Sequence, residues 1–286
     1  MTPTGFPATL PAPRRPDHLE VPALRWGVLG TGWIAERFVH ALRTSTTQQV
    51  VAVGSRSQAS AERFAGSAGV RTAHGSPEAL VADPGVDIVY VATPHQAHRA
   101  GALLAIDAGK HVLVEKPMGL DAAQAEEVSA AAATAGVLCM EAMWTLFLPR
   151  FDVVRRVLAQ GMLGDVRTVL ADHGERFDPP HRILDPAMAG GSLLDLGSYL
   201  TALATWTLGP AQDVYATGEM TPGGVNGQAA MVLTHDGGAR GVLHTTLLTR
   251  TPTVAVIEGT AATLTLPARS SCPATWSSPP PTATGR

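Results

Sequence analysis

What most constrains this chain is a rhythm. From Leu24 to Met140 short apolar runs alternate with helical patterns. Leu24 to Leu29 is the first run, followed by a Gly-rich turn and a helical pattern from Ile34 to Leu42. Gln49 to Val53 reads as a second strand and Ala59 to Ala68 as a helix. A short strand near Arg71, a small helix at Pro77 to Val81 and a β-branched run at Ile88 to Ala92 come next. Gln96 to Ala108, closed by Gly109, is helical; His111 to Val114 is a strand; Ala122 to Ala135, closed by Gly136, is helical; Val137 to Met140 is a last strand. Strands at this spacing with helices between them predict βαβ units and a doubly wound parallel sheet.

The rhythm breaks near residue 145. After one helix at Pro149 to Gln160, strand patterns dominate: Val166 to Ala171, Val214 to Thr217, Ala229 to Thr234, Gly241 to Leu248 and Val254 to Glu258. Asp236-Gly237-Gly238 is a hairpin signal, and one helix, Leu193 to Leu208, interrupts the series. The second half is therefore expected to be α+β on an open, mostly antiparallel sheet, and the whole chain α/β.

Composition removes several classes. Net charge is −3, which argues against nucleic acid as the main partner. No apolar run approaches the roughly 18 residues of a membrane span. Arg14-Arg15 has no apolar stretch behind it, so it is not read as a twin-arginine signal. Two cysteines make no disulfide framework. A soluble, cytoplasmic protein is the expectation.

Gly30-Thr31-Gly32-Trp33-Ile34-Ala35 fits the dinucleotide fingerprint with Ala at its last position. With 29 glycines in the chain the pattern alone carries little; its place between a first strand and a helix carries the argument. The first Gly allows the tight turn, the second lets backbone approach a pyrophosphate, and the helix N-terminus faces the phosphate charge. Residues 48 to 60 hold no acid for a ribose 2′-hydroxyl. Ser55 and Arg56 could instead bond a 2′-phosphate, so NADP is preferred over NAD. The expected layout is a disordered leader at 1–22, a dinucleotide-binding domain at 23–145, an α+β substrate and dimerisation domain at 146–267, and an irregular tail at 268–286.

Glu115-Lys116-Pro117 ends a strand, and ligands of such sheets gather at the carboxyl ends of the strands. In Gly190-Gly191-Ser192-Leu193-Leu194-Asp195-Leu196-Gly197-Ser198-Tyr199, Asp195 and Tyr199 stand four apart in a helical segment and share a face. A nearby ammonium would bring a tyrosine hydroxyl into the range of acid–base work, which makes Lys116 and Tyr199 a candidate proton-transfer pair. Thr93, Pro94, His95 and His98 lie near the nucleotide by position; His95 and His98 have no acidic partner at metal spacing, so no metal is expected. Cys139 reads as an inert thiol in an apolar strand. The short-chain dehydrogenase arrangement needs Lys four after Tyr, and the residues four after Tyr90, Tyr199 and Tyr215 are Pro94, Leu203 and Glu219.

This set resembles the glucose–fructose oxidoreductase / inositol dehydrogenase / MocA family. The resemblance runs from about Leu24 to Leu266. It rests on the glycine motif, on Ala92-Thr93-Pro94-His95, on Ala108 to Pro117 and on Gly190 to Tyr199. Met140 to Thr145, Leu158 to Val166, Phe177-Asp178-Pro179 and His181-Arg182 are similar to the branch that holds dimeric dihydrodiol dehydrogenases and NADP-dependent xylose dehydrogenases. The resemblance implies a two-domain fold whose open sheet often dimerises. It also implies Lys116 as the family lysine, Tyr199 as the proton-transfer tyrosine and Asp195 as its partner in holding substrate. Glu115 travels with Lys116 in the cofactor set, beside Gly30, Thr31, Gly32, Trp33 and Ile34. The implied reaction is oxidation of a sugar or cyclic diol at a carbinol carbon. Leu146 stands where many relatives of the branch carry Arg, and Ser192 where Gly is usual.

From Ala268 the chain has neither period nor core-forming run. It is read either as a shifted frame over a family C-terminus, which would shorten the second domain's sheet, or as an ordinary disordered tail. A shortened sheet would make a catalytically silent nucleotide-binding protein the alternative reading, and a non-redox nucleotide binder stands as a separate third one.

Overall fold

The computed structural model describes residues 9–14, 17 and 20–267, and the backbone of 275–277. Chain contacts divide it into one unit of Pro16–Met143 and a second of Met1–Arg15 with Trp144–Arg286.

The first unit is the parallel sheet that the alternation predicts. Its strands are β1 (Arg25–Leu29), β2 (Gln49–Gly54), β3 (Thr72–His74), β4 (Ile88–Val91), β5 (His111–Val114) and β6 (Cys139–Glu141), in the order β3-β2-β1-β4-β5-β6. The helices are α1 (Trp33–Ser45), α2 (Gln58–Ala68), α3 (Pro77–Val81), α4 (His98–Asp107) and α5 (Ala122–Ala135). Val28, Val53 and Tyr90 project to one face and meet Ala35, Val39 and Phe64. Leu29, Ala52, Val89 and Val91 project to the other and meet Leu80, Ala102, Ile106 and Val128. Cover on both faces explains why these strands read as unbroken apolar runs rather than alternating ones. Each Val, Leu, Ile or Phe among them contributes roughly 1.5–3 kcal/mol by leaving water. Helix ends follow their local chemistry: Asp121 accepts from the Gln124 N–H at 2.9 Å to start α5, and Gly136, at φ 67°, ends it in a left-handed turn that favours glycine. Burial raises the pKa of the half-buried Cys139 thiol, keeping it protonated.

The second unit carries α6 (Pro149–Ala159), β7 (Val166–Gly174), α7 (Ser198–Leu208), β8 (Ala211–Met220), β9 (Asn226–His235), β10 (Arg240–Thr246), β11 (Ala255–Gly259), β12 (Thr263–Leu266) and β13 (Thr275–Ser277). The sheet order is β13-β12-β11-β7-β10-β9-β8, antiparallel throughout except for β7 beside β10. Asp236–Gly238 turns β9 into β10 as expected. One face of the sheet, with Val169, Leu243, Ile257 and Leu264, packs with Val154 and Val157 of α6 and Leu203 and Ala204 of α7. Leu146 joins the rim of this cluster.

Four expectations need correction. The leader was expected to be disordered, yet residues 9–14 are docked: Leu10 lies against the core of the second unit, and Arg156 donates to the Ala12 carbonyl. Arg14 donates to Asp152 from its backbone N–H (2.7 Å) and from its guanidinium (Nη2–Oδ1 2.7 Å). A proline-rich segment without periodicity gives no sign of this, because its partners lie far along the chain. The rest of 1–22, apart from 17 and 20–22, lies outside the described residues. The helix expected at Leu193 to Leu208 opens with a π-helical stretch, Leu193–Gly197, before α7; apolar spacing does not register a change of hydrogen-bond ladder. β12 was not expected, although Thr263-Leu264-Thr265-Leu266 alternates as a half-buried strand does. The tail was expected to be irregular throughout, but 275–277 pairs antiparallel with β12, Thr263 opposite Ser277, where an edge strand offers unpaired backbone. The remaining tail, 268–274 and 278–286, and most of the residues on which the shifted-frame reading rests, lie outside the described residues.

Two carboxyls are held well below their ordinary range. Asp152 is lowered to about 2, first by the Arg14 side-chain hydrogen bonds, then by the Arg14 backbone N–H and by charge. Asp87 is lowered to about 2 by hydrogen bonds from Arg25 and then by its charge. A depressed pKa contributes stability that is complete above the unfolded value near 4 and is lost as pH falls through the folded value. Thermal unfolding followed from pH 5 to pH 2 should therefore show a loss of Tm below about pH 4. Arg14→Ala should flatten part of that slope and lower the plateau; an unchanged slope would mean that the Arg14 bond to Asp152 adds nothing in solution.

Candidate active site

In the first unit the candidate residues gather at the carboxyl ends of β1, β2, β4 and β5. β1 lies between β2 and β4, the point where the strand order reverses. Gly30 follows β1 at φ 117°, and its N–H donates to the Gly54 carbonyl at 3.0 Å. A Cβ on Gly30 would stand 2.4 Å from the Ala92 carbonyl oxygen, so only glycine fits there. A Cβ on Gly32 would meet nothing within 4 Å. α1 begins beside it with no side-chain cap bond. Open space at the second glycine and unclaimed first-turn N–H groups fit a pyrophosphate. Thr31 and Ile34 are half-buried at this mouth and Trp33 is exposed. Ser55, half-buried, and Arg56, exposed, follow β2.

The Thr93-Pro94 turn follows β4, and Glu115-Lys116-Pro117 follows β5, its neighbour. Tyr90 is buried in β4, and its hydroxyl donates to Glu115 Oε1. The other carboxylate oxygen accepts from the Lys116 N–H at 3.2 Å. The Met118 N–H donates to Glu141 Oε1 at 2.8 Å. Lys116 itself is half-buried, and its bond to Pro117 is cis. His98 is fully buried, with Nδ1 2.7 Å from the Pro117 carbonyl and Nε2 2.8 Å from the Thr93 carbonyl. It is expected among the cofactor contacts, and its ring stands between the two loops. His95 is also buried, its ring 5.6 Å from that of His98.

In the second unit the π-helical stretch carries Asp195, whose side chain is 9 % exposed. Such single wide turns shift side chains relative to a regular helix and recur at functional sites. Tyr199 follows on the first turn of α7 and is half-buried. The Trp144 indole N–H donates to the Tyr199 hydroxyl at 2.9 Å. The His173 ring lies 5.7 Å from the Tyr199 ring, and His173 Nε2 is 3.2 Å from Glu175 Oε1. Arg182 Nη2 is 3.2 Å from Asp195 Oδ2. Ser192 is fully buried; its hydroxyl bonds Asn226 Oδ1 and its carbonyl accepts from Thr245 at 3.3 Å. The serine that replaces a usual glycine is thus a tie between this turn and the sheet.

Sequence reasoning gave no role to Trp144, His173 or Arg182. Trp144 and Arg182 stood inside quoted motifs and could have been marked there. His173 had no signal, because β7 runs three residues beyond the expected Ala171.

Comparison with known proteins places this geometry. Residues 24–143 match an oxidoreductase family with an NAD-binding Rossmann fold, GFO/IDH/MocA. Residues 151–265 match the GFO/IDH/MocA C-terminal domain. A trans-1,2-dihydrobenzene-1,2-diol dehydrogenase from Bos taurus is 39% identical over 242 residues, 83% of this chain and 72% of that protein. A 3-ketoreductase from Actinomadura kijaniata, solved with NADP and TDP-benzene, superposes with a TM-score of 0.77 at 30% identity, covering 86% of this chain and 77% of that one. A protein of gentamicin A biosynthesis solved with NAD superposes with a TM-score of 0.79 at 25% identity, covering 91% and 75%. The chain belongs to the GFO/IDH/MocA family of NAD(P)-binding oxidoreductases. It is an NAD(P)-dependent dehydrogenase acting on a CH–OH group, in keeping with relatives named as a dehydrogenase and a ketoreductase. A catalytically silent binder is not favoured in such company. Among the described residues, no helix is long and apolar enough to cross a membrane.

Proposed function

We propose that the chain oxidises a carbinol of a sugar or cyclic diol, with Tyr199 as the base that takes the hydroxyl proton. The observation that carries this reading is the Trp144 N–H bond to the Tyr199 hydroxyl, one helical step from the buried Asp195 carboxylate. A donor on the phenol oxygen favours the phenolate, the form that accepts a proton. Lys116 supplies an ammonium for the same end, a role that rests on the family resemblance. Asp195 holds a substrate hydroxyl by accepting its hydrogen bond. The nicotinamide, when bound, receives the hydride. Gly30, Thr31, Gly32, Trp33 and Ile34 cradle the phosphates; Thr93, Pro94, His95 and Glu115 shape the floor beside them. The test is reduction of NADP by a panel of polyols and cyclic diols: turnover on some member supports the reading, and cofactor binding without any turnover contradicts it.

NADP is the preferred cofactor in this reading. Its support is the exposed Arg56 after β2 and the lack of an acid over 48–60. Arg56→Ala should weaken NADP binding by roughly tenfold or more and leave NAD binding within about twofold, read by fluorescence titration of each. Equal losses for both would remove Arg56 from the 2′-phosphate. A cytoplasmic setting goes with the absence of a disulfide framework in a chain of two cysteines.

The partner is a second copy. Tyr215, Val232, Val242, Leu170 and Val256 stand directly opposite one another across β8, β9, β10, β7 and β11. The first four are exposed, Tyr215 at 68 %. A contiguous apolar row on an open sheet face is costly in water and suits burial against its own copy. Val242→Asp should convert a dimer to a monomer by light scattering while NADP affinity holds; a dimer that survives would place the interface elsewhere.

A further inference from the structure

Asp195 is a buried carboxylate, and Arg182 is a cation brought to it from the loop after β7. Their backbones are locked together by contacts that use neither charge. The Gly191 N–H donates to the Ile183 carbonyl at 2.9 Å. A Cβ on Gly190 would stand 2.3 Å from that same oxygen, so the two loops touch main chain to main chain. Ile183 and Leu196, the neighbours of the charged pair, share one apolar cluster with Val225 and Leu247. Assembly of the loops therefore does not need the ion pair. The pair sets a fixed positive charge beside the carboxylate: Nη2 lies 3.2 Å from Oδ2. Arg182 Nη1 finds no acceptor among the described residues, so no competing carboxylate draws the guanidinium away. A guanidinium is planar and holds its charge at any working pH, which suits it to aim a carboxylate rather than to exchange protons with it.

We propose that Arg182 is a positioning residue that acts through Asp195. Its charge beside Oδ2 holds the carboxylate in the orientation that receives a substrate hydroxyl. This rests on the reading of Asp195 given above.

The test is a double-mutant cycle on the full chain with a polyol that it oxidises, reading KM, kcat, NADP affinity and Tm. Arg182→Gln should raise the polyol KM by roughly tenfold or more, with a smaller fall in kcat and unchanged NADP affinity. Arg182→Lys, which keeps the charge and is the safer variant for folding, should recover part of that loss. In an Asp195→Asn background, adding Arg182→Gln should change KM by less than about twofold, because the group that Arg182 aims is already gone. A merely structural role would lower Tm and activity equally in both backgrounds. An undiminished Arg182→Gln effect in the Asp195→Asn background overturns the proposal and leaves the reading of Asp195 standing. An Asp195→Asn variant with the KM and kcat of the parent removes Asp195 from the site, and the proposal with it.

Discussion

Tyr199→Phe should reduce kcat by about a thousandfold while leaving the fold and NADP affinity intact. The change removes a single oxygen. That oxygen accepts the Trp144 indole N–H, and the ring around it stays in contact with Trp144 and His173. Tyr199 is half-buried, so no sealed core is opened and Tm should move little. Positioned proton transfer is worth roughly a hundred- to ten-thousandfold in rate, and the loss of the group that performs it should appear in kcat rather than in cofactor binding. Steady-state rates beside a cofactor titration separate the two. Full turnover by the Phe variant would mean that another group takes the proton.

The second large effect is expected at the glycine turn, where neighbouring substitutions should part company. Gly30→Ala places a Cβ 2.4 Å from the Ala92 carbonyl oxygen in a backbone at φ 117°. The main chain must move, at a cost of about 1–3 kcal/mol or more, and β1 and β4 are tied at that point by the Ala92 N–H bond to the Leu29 carbonyl. Both Tm and NADP binding should fall. Gly32→Ala meets open space, so it should fold with the Tm of the parent. Its methyl group would stand where a pyrophosphate must approach the backbone, and NADP binding should fall by tenfold or more. Calorimetry of unfolding and of binding reads both. A Gly32→Ala protein that binds NADP normally would remove the phosphates from this turn.

The parts of the fold that the sequence made legible are those with local causes. α3, β5 and α5 fall on the expected residues because caps and glycines bound them: Ser76 and Pro77 open α3, Asp121 opens α5 and Gly136 closes it. The glycine turn was legible for the same reason, since a tight turn after a strand needs glycine at Gly30 itself. What escaped depends on partners distant in the chain. The docking of Arg14 on Asp152 spans 138 residues, and no pattern near Arg14 announces it. β13 is a strand because β12 offers an edge, not because its own residues form a pattern. His173 reaches Tyr199 only through the extra length of β7, which its pairing with β10 sustains to Gly174. Asp195 and Tyr199 were singled out by spacing and family likeness together, whereas Arg182 took its meaning from a single distance to Asp195.

The central claim is that this chain moves hydride from a carbinol carbon to a nicotinamide. The most direct measurement uses a polyol carrying deuterium at the oxidised carbon, with NADP as acceptor, and looks for the label on the reduced nicotinamide. The account predicts transfer of the deuterium to the nicotinamide ring, slowed about a thousandfold by Tyr199→Phe. NADP that binds but stays oxidised across a panel of labelled sugars and cyclic diols would contradict it.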